Sequence, residues 1–160
     1  HDPASALRAV ASGIFDTVQV IYNIFDPTPA EELLPLCLKH DVGVLARVPL
    51  DEGGLTGAIT LDTSFAEGDF RNRYFKGDRK RQVFERAQAL EALLVEEADS
   101  LPELALRFCL SHPAVSTVIP GMRSVRNVER NVALSDGRRL SPGLLAQLAQ
   151  HAWPRNFYQP

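Results

Sequence analysis

Cysteine is scarce here: Cys37 and Cys109 are the only two in 160 residues, far apart and each set among leucines. There is no C-x-x-C pair and no Cys/His spacing. His1, His40, His112 and His151 are scattered along the chain. A disulfide framework and a metal-ligand set are therefore not expected. Buried free thiols remain, and they suit a reducing cytosol, so a cytoplasmic protein is expected. No apolar run approaches the roughly 20 residues of a membrane span. His1-Asp2-Pro3 is polar and no apolar core follows it, so no signal peptide is read. There is no initiator Met either, and the chain reads as beginning inside a larger unit. Basic excess is missing too: 17 Lys and Arg against 20 Asp and Glu leave −3. That argues against a nucleic-acid-binding surface while leaving room for a local anion site.

What is present is an ordinary globular composition, 45% hydrophobic and 23% charged, in one domain's length. Helix starts are legible. Asp2-Pro3 and Ser141-Pro142 each offer an N-cap followed by Pro at the first helical position. Thr28-Pro29-Ala30-Glu31 and Ser100-Leu101-Pro102-Glu103 read as capping boxes. In each, the cap oxygen satisfies an orphan N–H and proline has none to leave unpaired.

Three apolar stretches rich in β-branched residues predict strands at Val18–Ile24, Val42–Val48 and Val115–Ile119. VGVLA and VSTVI lack polar alternation, which predicts burial on both faces. A helix is expected over Ala30–His40, with Leu33, Leu34, Cys37 and Leu38 at helical spacing, making a right-handed crossover between parallel strands. Gly53–Lys80 reads as a long loop, of the kind that is usually functional or disordered. Two helices should follow. Val83, Phe84, Ala87, Leu90, Leu93 and Leu94 stripe the first, and Leu104, Ala105, Phe108 and Cys109 the second. Further helices are expected at Ser124–Leu134 and Ser141–Ala152. No repeat, low-complexity segment or internal domain boundary is evident. Three parallel strands leave two edges unpaired and two faces needing cover. Part of a larger barrel explains this better than a complete doubly wound domain, and 160 residues are too few for a whole eightfold barrel of about 250.

In parallel β/α folds ligands bind beyond the carboxyl ends of the strands. Tyr22–Asp26, Arg47–Gly57 and Pro120–Ser124 occupy that place. In the last, Gly121 permits close backbone approach, Ser124 caps a new helix and Arg123 can fork onto phosphate oxygens; a plain strand-to-helix turn with an exposed arginine is the alternative. The glycine-rich second segment matches neither G-x-G-x-x-G nor a P-loop. Gln19, set among apolar strand residues, is either a structural hydrogen-bonder or a ligand contact. Asp26, Asp51 and Glu52 follow strand ends, where glycosidase carboxylates can sit, but their turn-like neighbours favour structural roles. Arg126, Arg130, Arg138 and Arg139 read as a solvated face with a phosphate-contacting fringe. Phe15, Phe70, Tyr74 and Phe75 read as packing or lid residues.

QVIYN at Gln19–Asn23, VGVLARVPLDEGGLTG at Val42–Gly57 and LRFCLSHPAVSTVIPGMRSVRNVERN at Leu106–Asn131 stand together in order and spacing. In register they closely resemble the C-terminal half of the aldo-keto reductases, and Thr60–Phe75 looks like a loop of bacterial members. The resemblance covers nearly the whole chain. It implies an α/β fold of the (β/α)8 TIM-barrel type, with residues 1–160 supplying about the last three strands and their helices. It also implies an NAD(P)H-dependent oxidoreductase that reduces aldehydes or ketones. On that resemblance Gln19 matches the side chain that bonds the nicotinamide carboxamide. Arg47 lies beside the nicotinamide face, where many members have an aromatic ring. Val48, Pro49, Leu50, Glu52, Gly53 and Leu55 match the pyrophosphate loop, expected to act mainly through backbone N–H groups. Gly121, Met122, Arg123 and Ser124 match the adenosine-phosphate site, with Arg123 the candidate for the 2′-phosphate of NADP; NAD is the other cofactor considered. Asn127 and Asn131 match positions near the adenine, and Arg130 replaces the family's usual acidic residue.

The family's catalytic Asp, Tyr, Lys and His stand on the first four strands, and none of those motifs is in this chain. Tyr22, Tyr74 and Tyr158 lack the required context, so no catalytic residue is nominated. The expected partners are the nicotinamide cofactor, a small carbonyl substrate and a missing N-terminal half-barrel, with no nucleic acid and no membrane. The alternatives are a non-catalytic nucleotide-binding or interaction protein on the same barrel, or a self-associating half-barrel.

Overall fold

Three runs of β-branched and aliphatic residues pair side by side: β1 (Thr17–Ile21), β2 (Gly43–Arg47) and β3 (Val115–Ile119). They form one parallel sheet in the order β1-β2-β3. The computed structural model describes residues 3–94 and 97–154. Asp2 and Tyr158 lie outside the described residues. Helices α1 (Pro3–Ala11), α2 (Leu33–Lys39), α3 (Arg71–Tyr74), α4 (Arg79–Glu91), α5 (Leu101–Ser111), α6 (Val125–Ala133) and α7 (Pro142–Ala149) complete the chain.

The strands end where polar backbone demands are met elsewhere. β1 stops short of Ile24 because Asn23 turns the chain: its Oδ1 accepts from Phe25 N and Asp26 N, each at 2.9 Å. Such an Asx turn competes directly with a sheet ladder. β2 stops at Arg47 because Val48 takes a left-handed φ of 55°. The expected helix from Ala30 also divides. Pro35 has no N–H and its ring would strike the carbonyl four residues back, so it is tolerated only in a first turn. A 3-10 turn at Thr28–Ala30 is therefore followed by a separate α2 from Leu33. Thr28 does not cap it; its hydroxyl donates to Asp26 Oδ1 at 2.6 Å. Ser100, Ser124 and Ser141 do cap α5, α6 and α7, accepting from Glu103, Asn127 and Leu144 N–H groups. The long connection holds α3, and Leu93 and Leu94 lie past the end of α4, half-buried.

α2 packs on β2 and α5 on β3. Val44, Ala46, Leu34, Cys37, Leu104 and Cys109 meet in that layer with essentially no exposure. Both cysteines are free and buried, and Cys109 Sγ donates to Tyr22 O at 3.2 Å. The other sheet face departs from expectation. Gln19 aligns with Leu45 and Leu45 with Thr117; Ile21 aligns with Arg47 and Arg47 with Ile119. Parallel register puts these side chains on one face. Gln19, Thr117 and Ile119 are exposed, Leu45 and Arg47 half-buried and Ile21 buried, so among the described residues most of that face is open rather than covered. Its apolar character, which predicted burial on both sides, is met on one side only.

Arg107 fixes α5 against the α6–α7 connection. It is 2% exposed; its Nε donates to Glu103 Oε1 at 2.7 Å, and its two Nη atoms fork onto Asp136 at 3.0 and 2.9 Å. That fork, with the Arg138 backbone N–H, holds the Asp136 carboxyl below its ordinary 3.8. A carboxyl lowered in the folded state adds stability above its ordinary value and loses it as pH falls. Stability should therefore drop as pH falls below about 4, and Asp136→Asn should flatten that part of the curve. Urea midpoints from pH 6 down to pH 3 check this; equal slopes for the two proteins would contradict it.

Candidate functional site

The carboxyl ends of β2 and β3 open onto a cleft of about 790 Å³. One wall is the turn after β2, with Val48, Pro49, Leu50, Glu52 and Gly53. A second, from the connection before α3, is Gly68, Asp69, Phe70 and Arg71. The third is Ile119, Pro120 and Gly121 with Arg123 and Asn127 of the α6 start. Eight residues read from the sequence as cofactor contacts are thus brought together.

The first wall is strained backbone. Val48, Asp51 and Glu52 all have φ near +50°, and Gly53 has +107°. For a β-branched residue such as Val48 this is a true outlier. Each such position costs about 1–3 kcal/mol and persists only where its surroundings over-determine it. Here they do. Asn23 Nδ2 donates to Val48 O at 2.9 Å, and Asp51 N donates to the same carbonyl at 3.1 Å. Gly53 N and Leu55 N both donate to Leu50 O, at 2.9 and 3.1 Å. The Gly53 and Leu55 amides, expected to serve a ligand, are therefore engaged within the turn. Leu55 is buried beneath it as its anchor.

Beneath the turn Asp51 is 5% exposed. Tyr74 Oη donates to its Oδ1 at 2.6 Å, and Arg79 Nη2 donates to both oxygens at 3.2 Å. Burial outweighs these partners and pushes its carboxyl up to about 6. Its role is internal, as its turn-like sequence setting indicated. Gly54 packs against it: a Cβ there would overlap Asp51 Oδ2 and press on Val83.

The second wall carries a closed ion pair. Arg71 forks onto Asp69, with its Nη2 at 2.6 Å, and its guanidinium lies 4.6 Å from the Phe65 ring centroid. The Arg71 side chain and backbone N–H hold the Asp69 carboxyl down to about 2, and Arg123 adds to the effect. On the third wall Ser124 Oγ accepts from Asn127 N at 3.2 Å, and Asn131 Nδ2 donates to Gly121 O at 3.3 Å. These contacts fix the loop around Gly121 at the helix start. Arg123 and Asn127, at the start of α6, line the cleft together, an arrangement suited to phosphate.

The remaining expected contacts lie elsewhere. Gln19 stands on the open sheet face and lines a groove along β1; Arg47 shares that face at the end of β2. Exposure means Gln19 is not the buried amide its apolar neighbours suggested. Met122 and Asn131 line a separate groove beside β3. Tyr22 is core, stacked on Phe108 at 5.3 Å, and burial raises its hydroxyl. Arg138 is ion-paired to Glu103 and Asp136 rather than part of a phosphate fringe. The contribution of Asn23 was not foreseen, although an Asn at a strand end is a turn signal. The 68–71 wall lies within the long connection read as functional or disordered, and it includes Phe70, read as a packing or lid residue. Among the described residues no His/Cys/Asp/Glu group could hold a metal, and no helix is long and apolar enough to cross a membrane.

The sequence model of the Aldo/keto reductase family matches residues 6–152. An NADH-specific methylglyoxal reductase of Escherichia coli K12 is 29% identical over 121 residues, 76% of this chain and 37% of its own length. An aldo-keto reductase of Schizosaccharomyces pombe, whose name specifies NADP(+), is 29% identical over 140 residues, 81% of this chain and 41% of its own. The solved holo form of an aldo-keto reductase from Bacillus halodurans superposes with a TM-score of 0.67 at 26% identity, covering 94% of this chain and 47% of that one. The chain thus spans less than half the length of these relatives.

The packing at Gly54 carries its own expectation. Gly54→Ala should destabilise the protein by about 1–3 kcal/mol, the usual range for overpacking. Gly121→Ala, with open space around its Cβ, should leave stability unchanged. Urea midpoints of the two variants check this; equal shifts would contradict it.

Proposed function

The chain belongs to the aldo/keto reductase family, and on that footing we propose that it supplies the cofactor-binding part of an NAD(P)H-dependent oxidoreductase acting on aldehydes or ketones. The observation that carries this is the cleft at the ends of β2 and β3, where a strained turn, Arg123 and the α6 N-terminus converge. Its volume, strained backbone and cationic end suit a dinucleotide. The turn at 48–53 and Gly121–Ser124 would hold the diphosphate and the adenosine phosphate, with Asn127 toward the adenine and Asn131, in the neighbouring groove, holding the Gly121 carbonyl. Gln19 and Arg47, on the open sheet face, would orient the nicotinamide end.

When bound, the dinucleotide supplies a hydride. This chain's residues bind it and orient it. The proton for the reduced oxygen would come from groups outside the chain, on preceding strands that would also cover the open sheet face. Alone, the chain should show no carbonyl-dependent NADPH oxidation.

Arg123 favours NADP, since a guanidinium forks onto a 2′-phosphate that NAD lacks. Arg123→Ala should weaken NADPH binding by about tenfold or more, the worth of one charge-assisted contact, while leaving NADH almost unaffected. Fluorescence titration of both nucleotides checks this. Equal losses would remove the 2′-phosphate assignment, and binding of neither nucleotide to the full-length protein would overturn the functional reading.

A further inference from the structure

Three costs converge on Asp51. A charge is buried, which requires compensation. Its backbone is held at φ 48°, where a non-glycine residue is strained. Its neighbour Gly54 can carry no Cβ without overlapping its carboxylate. An apolar residue would fill the same space without burying a charge. The compensation comes from a cluster that reaches into a different part of the chain. Tyr74 Oη and Arg79 Nη2 both bond the carboxylate, and the Arg79 guanidinium lies 4.4 Å from the Tyr74 ring centroid and 5.1 Å from that of Trp153.

Tyr74 sits in α3, whose first residue, Arg71, lines the far wall of the cleft and forks onto Asp69 beside it. Asp51 belongs to the strained turn that forms the near wall. The Asp51–Tyr74 bond therefore spans from one wall's foundation to the other's.

We propose that Asp51 is a positioning residue: through Tyr74 and Arg79 it straps the turn at 48–53 to the 68–71 wall and so sets the width of the cleft before a nucleotide enters. This inference rests on the reading that the cleft takes a nicotinamide dinucleotide. The strap acts by pre-organisation. The walls are ordered at folding, so the ordering is not deducted from binding.

The test uses the full-length protein with Asp51→Asn, Tyr74→Phe and, as a control outside the cleft lining, Asp136→Asn. Asp51→Asn should raise the Kd for NADPH about tenfold, the scale of a lost charge-assisted bond, and Tyr74→Phe should raise it less. With a small aldehyde as second substrate, KM for NADPH should rise while kcat at saturating NADPH holds. Without nucleotide, amide exchange should quicken at 48–53 and 66–71 in both cleft variants. Asp136→Asn should lower Tm yet leave Kd and exchange at both walls unchanged. A folded Asp51→Asn with wild-type Kd and wild-type exchange at both walls overturns the strap. So does quickened exchange at both walls in the Asp136→Asn control. If Asp51→Asn does not fold, Tyr74→Phe decides by the same readouts. If the unmutated protein binds neither NADPH nor NADH, the cofactor reading fails. The nucleotide-free exchange then judges the strap by itself.

Discussion

Parallel pairing of β1, β2 and β3 is the constraint on which the rest depends. It sends all three chain exits to one edge, so the turns that follow must share the space beyond it. It also aligns Gln19 with Leu45 and Thr117, and Arg47 with Ile21 and Ile119, so that one sheet face carries them all. A slip of one residue in β2 would turn Arg47 into the helix-packed layer and Ala46 out of it. The bonds from Tyr22 N to Arg47 O and from Asn23 Nδ2 to Val48 O continue this pairing past the last strand residue. The register is thereby carried into the turn itself.

Strain and buried charge then balance locally. Left-handed backbone at Val48, Asp51 and Glu52 is held by carbonyls that accept twice and by a carboxylate buried beneath the turn. A second ion pair, buried Arg107 with the exposed Asp136, holds the connection before α7 to α5. Trp153 adds a third tie: its backbone N–H donates to Phe25 O at 2.7 Å and its ring meets Phe25 edge-on. Polar contacts of high sequence separation thus hold the connections, while aliphatic packing holds the sheet.

Much of this was legible beforehand because local rules and tertiary structure agree. The three strands, the serine caps of α5, α6 and α7 and the buried thiols follow from β-branched runs, cap chemistry and leucine neighbours. The family resemblance marked Val48–Gly53 and Gly121–Asn127, and the structure brings these segments to one cleft. What was not legible depends on distance. Pro35 divided an apparently continuous helix, because its clash is with a residue a full turn earlier. Gln19 looked buried from its neighbours, but burial of a sheet face is decided by what lies across from it. The second cleft wall and the partners of Asp51 come from residues 68–79, and nothing in the local pattern there points back to residue 51.

In the proposed function the cleft at the ends of β2 and β3 takes a nicotinamide dinucleotide. Amide exchange of the full-length protein with and without NADP+ tests it most directly, because it reads the location of binding rather than its strength. Slowed exchange concentrated at 48–55 and 121–127 is expected. Bound nucleotide with protection confined to other segments would contradict it.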